Sequence, residues 1–106
     1  MYFTINGVKW QIRLVTPNSN YLKRSDGTIT LGVTDNELKT VFINRNLSDF
    51  MFQKVLTHEI THVFCFEMGC LLDIETEEII ADFLATFGRE VLQVADDILC
   101  RFKMII

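Results

Sequence analysis

Residues 48–68 read SDFMFQKVLTHEITHVFCFEM, and the middle of that stretch, His58-Glu59-Ile60-Thr61-His62, governs how the rest of the chain is read. The chain has no other histidine. The spacing has a mechanical meaning. On a helix, positions i and i+4 lie on one face, so both imidazoles can reach one metal ion. Glu59 stands about 100° round the same helix and can approach a reacting water without being a ligand. The plain alternative is an exposed helix with two surface histidines. Against it, H-E-x-x-H on a helix is the zinc-hydrolase pattern.

The flanks of the motif read as a helix. Ser48 is a good N-cap, Asp49 suits the positive helix end, and Leu47 precedes them. The helix is expected to run to about Met68, with Gly69 as its stop. A short link, Cys70–Asp73, leads to a second helix from about Ile74 to Phe102. Its apolar stripe is Ile79, Ile80, Phe83, Phe87, Val91, Val94, Ile98 and Phe102, and such a stripe is expected to pack into a core.

The front of the chain is different. Asn6-Gly7 is a hairpin turn between Tyr2–Ile5 and Val8–Val15. In the second strand Val8, Trp10, Ile12 and Leu14 are expected to face a core, with Lys9, Gln11 and Arg13 in water. Pro17-Asn18-Ser19-Asn20 is a loop, and Asp26-Gly27 marks a second turn. Thr28–Val33 alternates again, with Ile29, Leu31 and Val33 on one side. Thr34–Leu38 reads as a polar connection to a last strand, Thr40–Asn44. The expected fold is a single small α+β domain over residues 1–106. It comprises an antiparallel or mixed sheet in residues 1–44 and a helical hairpin in residues 48–104.

Composition bounds the function. A chain of 106 residues that is 49% hydrophobic and 23% charged is globular, with room for one core. Its net charge of −4 and lack of a Lys/Arg cluster leave no footprint for nucleic acid. No apolar run reaches the ~20 residues of a membrane span, and the N-terminus has no secretory pattern. Three cysteines, Cys65, Cys70 and Cys100, are an odd number. That argues against a disulfide framework and leads us to expect a cytoplasmic protein.

A hydrolytic zinc site needs a third protein ligand, and without a third histidine it must be Asp, Glu or Cys. Glu78 is favoured. His62 lies ~9 Å and Glu78 ~6 Å from the turn of an antiparallel hairpin, at 1.5 Å per residue, so the two can meet. Asp82, one turn on, could accept the free N–H of a ligating histidine. Glu75 and Glu77 are rivals, and all three glutamates also suit a helix N-terminus for its dipole alone. Cys65 shares the histidine face, but three ligands on one helix would span more than ~10 Å, so it reads as a small buried hydrophobe.

His58-Glu59-x-x-His62 followed by Glu78-Ile79-Ile80-Ala81-Asp82 resembles the H-E-x-x-H…E-x-x-x-D arrangement of gluzincin metallopeptidases. Over residues 29–88 the chain is similar to the small ImmA/IrrE-type peptidases and minimal gluzincins of bacteria, mobile elements and phages. The resemblance implies a zincin-like fold, zinc held by His58, His62 and Glu78, Glu59 as general base and Asp82 in support. It also implies a sheet edge that takes an extended protein or peptide substrate. The chain departs from the pattern at Ile60-Thr61, where the ImmA/IrrE type often has Leu-Gly. It also lacks the downstream histidine ligand of SprT-type domains.

An oxyanion donor is not evident. The tyrosines are Tyr2 and Tyr21, Arg89 lies ~16 Å along the helix from Glu78, and Asn36 is a loop residue. The leading expectation is a zinc-dependent metallopeptidase. The alternative is a catalytically weak or inactive zinc-binding protein, of phage or mobile-element type, that binds a host partner. A fold without any metal is the third reading. Oligomeric state is left open.

Overall fold

The computed structural model describes residues 1–105. It is an α+β fold in which a four-stranded mixed sheet is followed by two helices. The strands are β1 (Tyr2–Ile5), β2 (Val8–Val15), β3 (Gly32–Asp35) and β4 (Thr40–Asn44), in the spatial order β1-β2-β4-β3. The helices are α1 (Asp49–Glu67) and α2 (Ile74–Ile105). Among the described residues, no helix is long and apolar enough to cross a membrane.

Two hairpins build the sheet. In the first, Asn6 and Gly7 both take positive φ, 51° and 78°, as a two-residue turn requires, and β1 pairs antiparallel with β2. In the second, Asp35 Oδ1 accepts from the Leu38 amide and Lys39 takes a φ of 49°, which returns β4 antiparallel to β3. Parallel pairing of β2 with β4, Ile12 against Val41 and Leu14 against Ile43, joins the hairpins.

One face of the sheet carries the core. Trp10, Val41 and Ile43 are fully buried against Val63 of α1, with Phe52, Val55 and Leu56 packed around them. On the opposite face Phe42 is covered by the Tyr21 ring, stacked at 4.2 Å, and Leu22 is fully buried. Leu14, expected to face the core, is half exposed: the core takes in Trp10 and Ile12 of β2 and ends before Leu14.

The Thr28–Val33 strand is corrected. The strand begins at Gly32 and runs to Asp35, so it takes the first residues of the expected connection. Ile29 makes only an isolated bridge with Lys23, and Ile29 and Leu31 are exposed. The tight turn after Asp35 fixes the register with β4; upstream of Gly32 the chain leaves that strand after Leu31 O accepts from the Asn44 amide, and Thr28 and Thr30 bond instead to Arg24 and Leu22.

Both helices start where the sequence indicates. Ser48 Oγ accepts from the Met51 amide at 3.2 Å, and Asp73 Oδ1 accepts from the Thr76 amide at 2.7 Å. That bond to the Thr76 amide holds the Asp73 pKa below its ordinary value. Gly69, with φ 67°, turns the chain out of α1. The apolar stripe on α2 does not enter the core: Phe83, Phe87, Val91, Val94, Ile98 and Phe102 are all exposed. The helix packs on α1 through the side that carries Glu77, Ala81 and Gly88, all buried. Small residues let the two helices approach, and the bulky stripe is turned away.

Candidate metal centre

The third and fourth turns of α1 bring His58 and His62 onto one face, and the first two turns of α2 bring Glu78 against them. His58 Nε2 and His62 Nε2 are 3.2 Å apart. Glu78 Oε2 lies 3.3 Å from the first and Glu78 Oε1 lies 2.8 Å from the second. Together the three side chains form a group that could hold a metal ion. Ligands at ~2.0–2.1 Å in a tetrahedral shell stand roughly 3.3 Å from one another; the two Nε2 atoms match that spacing, and with one oxygen of Glu78 the three ligand atoms lie within 4.8 Å of one another.

The outer nitrogens explain why the inner ones converge. His58 Nδ1 lies 2.9 Å from Asp82 Oδ1, and His62 Nδ1 lies 3.3 Å from Glu77 Oε2. A carboxylate at Nδ1 keeps the ring proton there. Both Nε2 atoms then present lone pairs to each other and to the Glu78 oxygens, an arrangement that repels itself without a cation. The donor set therefore fits a metal on its own chemistry.

Glu59 is on the adjoining face and is buried. The Thr34 hydroxyl of β3 lies 3.0 Å from both the Glu59 carbonyl and Glu59 Oε1 and donates to them. Burial raises the Glu59 pKa, opposed by the charge of His58 and by the Thr34 hydrogen bond. Gly32 makes this proximity possible. A Cβ there would come within 2.7 Å of Val55 Cγ1 and 3.0 Å of Glu59 Cγ, so β3 can lie against α1 at this point only without a side chain.

The site opens into a cleft with two lobes, of about 340 Å³ and 400 Å³. Arg24, Gly32, His58, Glu59 and Glu78 line both. The Asp26-Gly27 turn carries Arg24 there: the Arg24 amide donates to Thr28 O and its carbonyl accepts from the Gly27 amide.

Every residue singled out in the sequence for the metal lies here: His58, Glu59, His62, Glu78 and Asp82. Glu77, considered only as a rival ligand, is instead buried behind His62. Glu75 is exposed, and Asn36 is bonded to Lys39 Nζ at 2.7 Å. Cys65 is buried, and burial, with a hydrogen bond to Glu77, pushes its thiol up to about 11. Thr34 and Arg24 were not foreseen, because neither carries a sequence signal before the strand register is known.

Comparison with protein-family models, curated proteins and solved structures gives no match to this chain.

Proposed function

We propose that this chain is a zinc-dependent metallopeptidase of gluzincin type. The observation that carries the reading is the convergence of His58, His62 and Glu78 with a buried carboxylate, Glu59, beside them. Two imidazoles and one carboxylate suit zinc on ligand type, and three protein ligands leave one position for chemistry. Bound zinc supplies a Lewis acid.

The chain's own residues do the rest. Glu59, with its pKa raised by burial, takes the proton from an attacking water and delivers it to the leaving amine. Thr34 fixes the rotamer of that carboxylate. Asp82 and Glu77 hold the histidine rings in the ligating tautomer. Arg24, at the mouth of both lobes, supplies the positive charge that would bind a substrate carbonyl or carboxylate. β3 is an edge strand, and Gly32 and Thr34 line the cleft beside His58 and Glu59. An extended peptide added to that edge would lay its backbone across the site.

The test is Glu59→Gln. Zinc content should stay at one per chain while cleavage of an unfolded protein substrate falls by at least about a hundredfold. Unchanged cleavage removes Glu59 from the mechanism. Stoichiometric zinc with no cleavage by the unaltered chain would favour the second reading, a zinc-binding protein in which the ion pins α1 to α2 and the chain works by engaging a host protein. A purified chain holding no metal would sink both.

A further inference from the structure

The distal part of α2 has no neighbour among the described residues. Phe50, at the start of α1, lies level with Arg89, the two lining one crevice. Beyond Arg89 the helix continues to Ile105, about 24 Å at 1.5 Å per residue. This projection stretches the molecule to 55 Å along its longest axis. A free helix of that length is marginal in water without a packed face.

The face it offers has a definite pattern. Leu84, Phe87, Val91, Val94 and Ile98 follow one another at alternating steps of three and four residues, the seam of a coiled coil. They are 38–53% exposed, and Phe102, at 59%, extends the same side. Of these, Phe87, Val91, Val94, Ile98 and Phe102 fall within the overlap an antiparallel copy would cover; they offer roughly 450 Å² of apolar surface per copy, about half the ~800 Å² per partner of a standard interface, which suits a concentration-dependent dimer.

Charge selects the occupant. Glu90 and Arg101 lie on one flank of the seam, 60–80° from its centre on a helix of 3.6 residues per turn. A parallel copy would put Glu90 and Arg101 of the two chains on opposite sides of the seam, each facing the flank of Ala95 and Leu99 with no opposite charge to meet. An antiparallel copy with Val94 against Ile98 brings Glu90 level with Arg101, twice by symmetry. The polar side mixes Arg89, Asp96, Asp97 and Lys103, which lacks the basic excess of a membrane-surface helix.

We propose that two copies of this chain associate through the distal half of α2, antiparallel, with Val94 of each against Ile98 of the other and Glu90 paired with Arg101 across the interface. The metal centre faces away from this seam, so each copy keeps its own cleft.

Sedimentation equilibrium of the full chain should return twice its 12.3 kDa mass. Arg101→Glu should weaken the association at least about tenfold, and Glu90→Arg added to Arg101→Glu should restore it. Val94→Asp, at a half-exposed position on the projection, should give a monomer in which any loss of helical content by circular dichroism is confined to the part of α2 beyond Arg89. A monomer at every accessible concentration overturns the proposal. So does a dimer indifferent to both Val94→Asp and Arg101→Glu, or a monomer whose helix instead binds anionic phospholipid vesicles.

Discussion

His62 Nδ1 and Glu77 Oε2 lie 3.3 Å apart with both side chains sealed from water, 8% and 10% exposed. His58 has a similar partner in Asp82, yet Asp82 is 74% exposed. The two carboxylates do the same job in different surroundings, and solvent screening makes the exposed one weaker.

Glu77→Gln should therefore weaken zinc binding about 10–100-fold, the usual effect of losing such a partner. Asp82→Asn should lie at or below the low end of that range. Competition against a chromophoric chelator reads both. An equal or larger loss for Asp82→Asn would show that burial does not rank the two.

Gly32→Ala places a methyl group 2.7 Å from Val55 Cγ1 and 3.0 Å from Glu59 Cγ. Overpacking of this kind costs about 1–3 kcal/mol. The variant should lose that much stability in urea denaturation. On the proposed function, its peptidase activity should fall further than its zinc content, because His58, His62 and Glu78 are on helices and the displaced group is Glu59, the proposed base. Retention of full activity would mean that β3 yields without moving Glu59.

Arg24→Ala should raise KM for peptide substrates and leave bound zinc at one per chain, since the guanidinium lines the cleft without being a ligand. Arg24→Lys should recover only part of the loss, because an ammonium cannot reproduce the planar fork. Unaltered kinetics in Arg24→Ala would remove the residue from substrate binding.

Thiol labelling should sort the three cysteines. Cys70 and Cys100 are exposed; Cys65 is buried, with its pKa pushed up to about 11. Only the thiolate reacts, and at a pH below 9 a rise of ~2 pH units cuts its fraction by about a hundredfold. Mass spectrometry of the native chain should find Cys70 and Cys100 alkylated first, with Cys65 following on unfolding. Early labelling of Cys65 would contradict the packing at the end of α1.

Much of the site could be read from one helix, since the i, i+4 spacing of His58 and His62 determines a direction in space. Glu78 followed from depth along a hairpin, and the structure brings it to the two rings. Glu77 was harder to place. It sits about 100° from Glu78, which argued against it as a ligand. The same angle carries it to the far side of His62, where the ring has its second nitrogen. The α2 stripe shows the opposite limit. Periodicity revealed that the helix has an apolar side, but periodicity is blind to which side meets α1. Ala81 and Gly88 decide that by being small. The strand before the motif was displaced because alternation alone has no register; the Asp35–Lys39 turn supplies it.

The parallel seam between β2 and β4 bears on how the chain reaches this state. Each hairpin can form from neighbouring residues, but Val15 and Asn44 must meet across an intervening stretch of nearly thirty. Closing that loop gains nothing until the strands dock. Thr34 and Gly32 sit in the second hairpin, while Trp10, on which α1 rests, sits in the first. The Glu59 carboxylate, which Thr34 orients, thus takes up its place only after the most sequence-distant pairing in the sheet is complete, which makes the assembled cleft a late product of folding.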